Sequence, residues 1–583
     1  MTISEEELSR LARKYALINA LEHDGKASQG AVTGRILAEN PDLRKDSSTV
    51  KALAAKQVSI INEMDAAAQK ATIDSEFPGE LDKRITSKKQ ISKIDSEKAP
   101  SLPDLPDAVV GQVVTRFPPE PNGFMHIGHA KAAILGSEYA KKYSGDFILR
   151  FDDTNPAAEK REYYDAFLDS FAWIGISPTR IKNASDDLPL FYEIARKLMQ
   201  NKGAYVCLCT QEVMRGNRAA GRACEHRSNL IDRNLSLWEE MLSGRIEKSD
   251  AVLRFMGDMN SLNTAMRDPV LFRIVKERHP LQGERFRVWP TYDFDGPVED
   301  SLDGVTHAMR SKEYELRDEL YYSLLKSIGL RLPRIIEFSR LQLQNTTISK
   351  RNLRKLIEEG HVSGWDDPRL ATIAGLRRRG FLPQTIREFV LQMGLSKVES
   401  EPTWDLLESI NRKLLDPIAK RFFFVEDPVK LTVEGAPALK ASLKMHPTAD
   451  FGLREIATNG EFLIASSDAK TLKAGSTVRL IDAYNVTVES ISENSIHGRH
   501  AGEGNLEKVQ RIQWVVPSES VPFEVMITGP LLLNEEYNPH SLRIARGRAE
   551  LSVKELTMGE IFQFVRFGFC RLDKPGLAIL SHK

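Results

Sequence analysis

Cysteine is scarce in this chain: four occur among 583 residues, Cys207, Cys209, Cys224 and Cys570. They are too few and too unevenly spread for a disulfide framework, which excludes the small stapled secreted folds. Long apolar runs are missing as well. No stretch reaches the roughly eighteen uncharged apolar residues of a membrane-spanning helix, so no membrane partner is expected. The amino terminus, MTISEEELSRLARK, is acidic and helical in pattern where a secretory signal would be basic and then apolar, and the expected compartment is the cytoplasm. Net charge is also absent. Lys plus Arg and Asp plus Glu both number 81, so nucleic-acid binding cannot be read from bulk charge and has to come from local basic patches. There is no internal repeat and no low-complexity segment.

What is present describes several domains. Hydrophobic residues make up 41 % of the chain, ample for ordinary cores. Residues 4–22 place Leu8, Leu11, Tyr15, Ile18 and Leu21 at helical spacing, with Ser4 and Glu7 in capping-box register, so 1–81 reads as a helical amino-terminal domain. Residues 82–107 turn charged and unpatterned, with prolines near the end, and read as a linker. From 108 there follow an apolar run (VVGQVVTRF), a turn (PPEPNG), a helix from about His126 to Tyr143 and a strand at 146–151 (DFILRF). That order is the strand, helix, strand unit of a parallel sheet. Residues 352–425 read as helical, and 426–583, rich in β-branched and aromatic residues broken by Gly, Pro and Asn, read as β-barrels.

The stretch RFPPEPNGFMHIGHAKA, 116–132, sets His126 and His129 three apart around Gly128. A metal site is one reading, but no nearby acid completes a helical zinc motif such as HExxH. Helix capping or satisfied burial is another. The third follows from location: the turn comes after a strand and opens a helix, where backbone N–H groups and the positive dipole end attract phosphate. Histidines there add donors to phosphate oxygens, and a glycine lets a flat base approach the backbone.

These residues resemble the class I aminoacyl-tRNA synthetases, whose HIGH signature is 126–129 here. The fuller string is similar to the glutamyl and glutaminyl subgroup, and LRFDDTNP (149–156), WPTYDF (289–294), GVTHAMRSKEY (304–314), EFSRLQL (337–343) and GWDDPRLATIAGLRRRGF (364–381) follow in that family's order. TISKR (347–351) stands where the family has KMSKS; Thr347 and Arg351 depart from it, and Lys350 is retained. The resemblance implies a Rossmann-type α/β catalytic domain in two halves, 108–203 and 289–351, around an acceptor-binding insertion at 204–288. A helical connecting domain at 352–425 and anticodon-binding barrels at 426–583 complete it.

By that resemblance the activity is ATP-dependent ligation of an amino acid to tRNA. His126, His129 and Lys350 stabilise the triphosphate together with Mg²⁺, and Gly128, Glu120, Arg340, Leu341, Ser349 and Lys350 contact ATP. Asp152 and Tyr292 hold the α-amino group. Arg310 stands where glutamyl enzymes carry arginine and glutaminyl enzymes a small neutral residue, and a guanidinium fork matches a γ-carboxylate. Arg116 is a second candidate for that carboxylate. The expected partners are therefore L-glutamate, ATP and tRNA(Glu), acting on a monomer, with a glutaminyl enzyme or a non-catalytic tRNA-binding relative as the alternatives. The carboxy-terminal β texture agrees with the archaeal and eukaryotic glutamyl branch. Arg377, Arg378 and Arg379 form a basic cluster suited to tRNA phosphates. Finally, Cys207, Cys209, Cys224 and His226 give C-x-C-x14-C-x-H, four soft ligands for a closed structural Zn²⁺ site; the alternative is a buried cysteine pair with an incidental Cys and His.

Overall fold

The computed structural model describes residues 5–22, 25–39, 43, 47–77, 102–247, 250–399, 401–492, 495–504 and 509–583. The chain forms two compact units, Met1–Ser101 and Leu102–Lys583. The first is built from α1 (Glu5–Glu22), α2 (Gln29–Glu39), α3 (Ser47–Asn62) and α4 (Ala66–Glu76). Along α1, Leu8, Tyr15 and Ile18 are buried as their spacing requires, and Ala12, Ala16 and Ala20 are buried beside them, while Leu11 and Leu21 are only partly covered. The capping pair expected at Ser4 begins outside the described residues, as does most of the expected linker. Its last residues belong to the second unit: Leu105 is buried and donates its N–H to the Tyr143 hydroxyl at 2.9 Å, and the Pro106 carbonyl accepts from His307 Nε2 at 2.9 Å.

The second unit starts with β1 (Val114–Phe117), α5 (Ile127–Lys142), β2 (Asp146–Phe151) and β3 (Arg180–Asn183), the three strands running parallel in that order. β1 is shorter than the apolar run that announced it, because Val109 and Val110 are exposed ahead of a turn. Gly145 makes the return from α5 into β2 possible: a Cβ there would fall 1.9 Å from the Val113 carbonyl oxygen. An antiparallel sheet is inserted next, β4 (Ala204–Cys207), β5 (Val252–Phe255), β6 (Val270–Ile274) and β7 (Val288–Pro290), with its own core around Trp238, Phe272 and Trp289. After it, β8 (His307–Ser311) and β9 (Arg334–Phe338) form a second parallel pair. Thr306 N–H donates to the Val114 carbonyl and Val114 N–H to Thr306 Oγ1, both at 2.9 Å, so β8 lies beside β1 and starts level with it. The strand order is thus β3-β2-β1-β8-β9. It reverses at the β1/β8 crevice, where ligands bind in open parallel sheets.

The helical stretch expected to reach 425 ends earlier. Helices Lys350–Glu358, Ile373–Arg379, Pro383–Met393 and Trp404–Leu415 are followed by strands Lys420–Phe422 and Phe424–Glu426. The reason lies in three consecutive phenylalanines, which cannot share one helix face but alternate in a strand: Phe422 and Phe424 enter one core, Phe423 the other. Those two strands are the opposite edges of a seven-stranded sheet and are separated by Phe423 alone, so the sheet curls back on itself. The six-stranded sheet closes similarly, through reciprocal Leu463 and Val515 backbone bonds of 2.7 and 3.0 Å. Among the described residues no helix is long and apolar enough to cross a membrane.

Candidate active site

The β1/β8 crevice opens into a cavity of about 1090 Å³. Arg116, Glu120, His126, Gly128, His129, Asp152, Tyr292, Arg310, Arg340, Leu341 and Lys350 all border it, so the structure brings these expected site residues together. Ser349 does not line the cavity; it is the N-cap of the Lys350–Glu358 helix.

His126 and His129 form the start of α5. His126 is the N-cap, its Nδ1 accepting the His129 N–H at 3.3 Å, and His129 Nδ1 accepts the His126 N–H at 3.3 Å. Both rings stack, with centroids 3.6 Å apart. Capping and phosphate binding, alternatives in the sequence, are compatible here. An Nδ1 that accepts a backbone N–H leaves the proton of a neutral imidazole on Nε2, a donor free for another partner. Burial, then the Lys350 and Arg340 charges, push His126 down to about 3, and burial with the His126 and Lys350 charges lowers His129 as well. Gly128 is closely packed: a Cβ would lie 3.1 Å from the His126 ring and 3.2 Å from Ile348, so those side chains would have to shift by a few tenths of an ångström. The turn is clamped from outside by residues of GWDDPRLATIAGLRRRGF. Ile127 N–H donates to the Ala371 carbonyl at 2.9 Å, Ile373 N–H to the Met125 carbonyl at 2.8 Å, and Phe124 stacks on Trp365 at 5.5 Å.

Lys350 reaches across from TISKR to the PPEPNG turn, donating to the Glu120 carbonyl at 3.1 Å and to Asn122 Oδ1. Burial lowers its ammonium to about 8, against the raising influence of Glu120. Arg340 pairs with Glu313 at 3.0 Å, and Glu120 Oε1 accepts from Asn155 Nδ2 at 3.0 Å.

Beneath the cavity lies a buried charge network that the sequence reading missed. Arg116 donates from Nε and Nη2 to the two Asp300 oxygens, each at 2.9 Å, and from Nη1 to the Met309 carbonyl. Arg150, fully buried, donates from Nη1 to Asp300 at 2.9 Å and from Nε to Asp152 at 2.7 Å. Burial raises the Asp300 carboxyl and the two guanidiniums outweigh it, leaving Asp300 below its ordinary value. Arg116, expected as a partner of a substrate γ-carboxylate, therefore has most of its fork committed to Asp300. The signal for this network was Arg150 itself, an arginine inside the apolar strand DFILRF, which demands a buried counter-charge. The adjoining turn is also fixed: Asp153 accepts from Ser185 N–H, Ser185 Oγ and Tyr164 Oη at 2.8, 2.8 and 2.9 Å.

Arg310, at the carboxyl end of β8, pairs with Asp318 and lies over the Tyr321 ring, Cζ to centroid 5.3 Å. Its Nε is buried with no hydrogen-bond partner among the described residues. Tyr292 opens the helix Tyr292–Leu302 and packs on Tyr314, ring centroids 4.8 Å apart.

The expected metal ligands converge at the edge of the inserted sheet. Cys207, Cys209, Cys224 and His226 place their donor atoms within 4.8 Å of one another. Cys207 and Cys224 Sγ are 3.7 Å apart, and Cys209 Sγ is 3.5 Å from His226 Nδ1. A tetrahedral ion at about 2.3 Å from sulfur and about 2.0 Å from nitrogen sets these separations near 3.8 and 3.5 Å, so the donor set fits zinc. Arg254 donates to both Cys207 and Cys224 sulfurs at 3.8 Å, the kind of outer contact that offsets thiolate charge.

Of the three arginines expected at tRNA phosphates, Arg379 is a correction, since its guanidinium is turned into the interior, whereas Arg377 stays on the surface and Arg378 is half-buried. Arg379 is buried, donating to the Ser581 carbonyl at 3.1 Å and to Glu408 at 2.5 Å while its Cζ lies 4.7 Å from the Trp404 ring centroid. Arg378 is bidentate to Asp573 at 2.9 Å and also pairs with Asp366 at 3.3 Å. Arg377 is exposed and pairs with Asp169 at 3.2 Å. Their fan of directions around a short helix spreads them over different neighbours, and two of them brace the helical connecting stretch against the last barrel.

Comparison with known proteins agrees with this geometry. The family model described as "tRNA synthetases class I (E and Q), catalytic domain" matches residues 112–417, and two anticodon-binding models of that family match 419–503 and 511–573. The chain is 41 % identical over 579 residues to a glutamate-tRNA ligase of Nitrosopumilus maritimus, covering 99 % of this chain and 100 % of the relative. It is 40 % identical over 590 residues to a glutamate-tRNA ligase of Pyrococcus abyssi, with 99 % and 100 % covered. A solved glutamate-tRNA synthetase from Elizabethkingia anophelis is 20 % identical, with a TM-score of 0.38 over 53 % of this chain and 71 % of that one.

The histidine cap has a pH signature. His126 is ordinary, near 6.5, in the unfolded chain and about 3 when folded, so unfolding takes up a proton below about 6.5 and stability falls as pH drops from there towards 3. The expected slope is up to about 1.4 kcal/mol per pH unit for this residue. Urea unfolding from pH 7 to 4 measures it: His126→Asn, which keeps a cap acceptor without a titrating ring, flattens the slope by that amount relative to wild type.

Proposed function

The chain belongs to the class I tRNA synthetases of the glutamate and glutamine family, and from that premise we infer that it is a glutamate-tRNA ligase. It activates L-glutamate with ATP and transfers the glutamyl group to the terminal ribose of tRNA(Glu), working as a monomer in the cytoplasm. The observation that carries the amino-acid choice is Arg310. It borders the cavity at the end of β8 with a buried Nε that has no acceptor among the described residues, a donor that a γ-carboxylate satisfies.

The chemistry asks for alignment more than for acid-base catalysis. The α-carboxylate is already a nucleophile: its oxygen bonds to the α-phosphorus of ATP, the bond to the bridging oxygen breaks and pyrophosphate departs. His126 and His129 supply Nε2–H donors to the phosphates, and the Lys350 ammonium meets the charge that builds on the leaving group. Mg²⁺ accompanying ATP shares that charge. Asp152 and Tyr292 hold the α-amino end. A ribose hydroxyl of the tRNA then attacks the glutamyl carbonyl and AMP leaves. Cys207, Cys209, Cys224 and His226 would hold a structural zinc ion, which would tie the 209–226 segment to β4 of the inserted sheet.

Aminoacylation with glutamate and with glutamine tests the central reading. Glutamate is expected to be favoured by about 10⁴ or more in kcat/KM, because glutamine turns an amide donor toward a guanidinium that has no acceptor. Arg310→Cys should lower glutamate kcat/KM by on the order of 10²-fold by leaving the γ-carboxylate unpaired. An Arg310→Cys variant with unchanged preference and efficiency contradicts the assignment of that residue.

Lys350 gives an alkaline limit. Its ammonium sits at about 8 in the free enzyme and only the charged form assists, so kcat/KM for ATP should fall as pH rises through about 8. Lys350→Arg, which stays charged, moves that fall to higher pH. For the metal, purified protein should carry one zinc per chain by elemental analysis, and Cys224→Ser should lose it; less than about a tenth of an equivalent in chelator-free protein contradicts the site.

A further inference from the structure

Two acids at the cavity wall differ in what they are paired with. Asp152 is matched by Arg150, whose Nε donates at 2.7 Å and Nη2 at 3.5 Å. Asp295, in the first turn of the Tyr292–Leu302 helix, borders the same cavity and is 1 % exposed. Its Oδ2 accepts the Thr154 hydroxyl at 2.7 Å. Its Oδ1 is buried with no hydrogen-bond partner, and no ion pair is made by either oxygen among the described residues. The neighbouring Arg273 gives Nη1 and Nη2 to the Pro290 and Thr154 carbonyls, at 2.6 and 3.2 Å. Burial and the Asp152 charge push the Asp295 carboxyl up to about 8, against the Thr154 hydroxyl, the Arg150 charge and the Gly296 N–H, which favour its charged form.

A buried acid without a cation is costly unless it stays protonated or meets a positive group brought to it. The substrate brings one. An amino acid whose carboxylate faces the phosphates carries an ammonium with three N–H donors, more than Asp152, already shared with Arg150, can satisfy in a dry site. We propose that Asp295, held in place by Thr154, is a second receptor beside Asp152 for the α-ammonium group of the amino-acid substrate. This rests on reading the cavity as the amino-acid activation site. Asp152 and Asp295 then approach the ammonium from β2 and from the Tyr292–Leu302 helix, so the amino end is located by two elements at once.

The test is steady-state aminoacylation by Asp295→Asn, an isosteric change. KM for glutamate should rise on the order of 10- to 100-fold, as for loss of a charge-assisted hydrogen bond, with KM for ATP and the melting temperature nearly unchanged. Thr154→Val, which removes the hydroxyl that positions Asp295, should raise KM for glutamate in the same direction and by less. An unchanged KM for glutamate in Asp295→Asn, or equal rises for glutamate and ATP, overturns the proposal. Wild-type enzyme that fails to charge tRNA with glutamate overturns instead the reading on which the proposal rests.

Discussion

The Asp300 carboxylate, fully buried, accepts four hydrogen bonds: two from Arg116, one from Arg150 and one from the Tyr321 hydroxyl, at 2.9, 2.9, 2.9 and 3.1 Å. Arg116 belongs to β1, Arg150 to β2, Asp300 to the helix that follows the insertion, and Arg116 also reaches the Met309 carbonyl of β8. One anion therefore ties together the strands on both sides of the β1/β8 crevice and the first element after the inserted sheet. Removing two guanidiniums from water costs several kcal/mol each, and that cost is offset only where the geometry is bidentate and the remaining donors are used. Here they are used: Arg150 also engages Asp152 and Asp303.

This network satisfies Arg116, Arg150 and Asp300 among themselves at one wall of the cavity. His126 and His129 each show a division of labour within one ring. Each spends Nδ1 on a backbone N–H of the other and keeps Nε2. The cap is thus the device that fixes the tautomer, and neutral imidazoles at the start of a sixteen-residue helix leave the positive dipole end to add to their donors. Lys350 comes from far along the chain, and its helix rests on the last barrel: Leu353 and Leu356 share a cluster with Leu531, and His361 stacks on Tyr537 at 4.0 Å. Lys350 and the carboxy-terminal half are parts of one packed unit.

Much of this was legible in the sequence because it was written in local strings. RFPPEPNGFMHIGHAKA marked the turn and the helix start, DFILRF matched β2 residue for residue, and the C-x-C and C-x-H pairs marked four candidate ligands that the fold brings within 4.8 Å of one another. What stayed hidden depended on partners distant in the chain. Nothing near Arg116 announces Asp300, 184 residues away, and nothing near Arg379 announces Ser581, 202 residues away. The arginine cluster looked suited to tRNA phosphates because its neighbours in sequence are arginines; in space Arg378 meets Asp573 and Arg379 meets Glu408 and Trp404. Similarly the strands at 420–426 were masked by the helices before them, although the alternation of three phenylalanines between two cores was available as a signal.

The claim that the site is organised by one buried carboxylate is tested most directly by Asp300→Asn, measured for glutamate aminoacylation and thermal unfolding together. The amide keeps the shape but leaves Arg116 and Arg150 facing a neutral group, a loss of about 3–5 kcal/mol for a broken buried pair. The account predicts a lower melting temperature and a fall in kcat/KM for glutamate of on the order of 10² or more, with Arg116 no longer fixed against β8. Wild-type activity and stability in Asp300→Asn would contradict it.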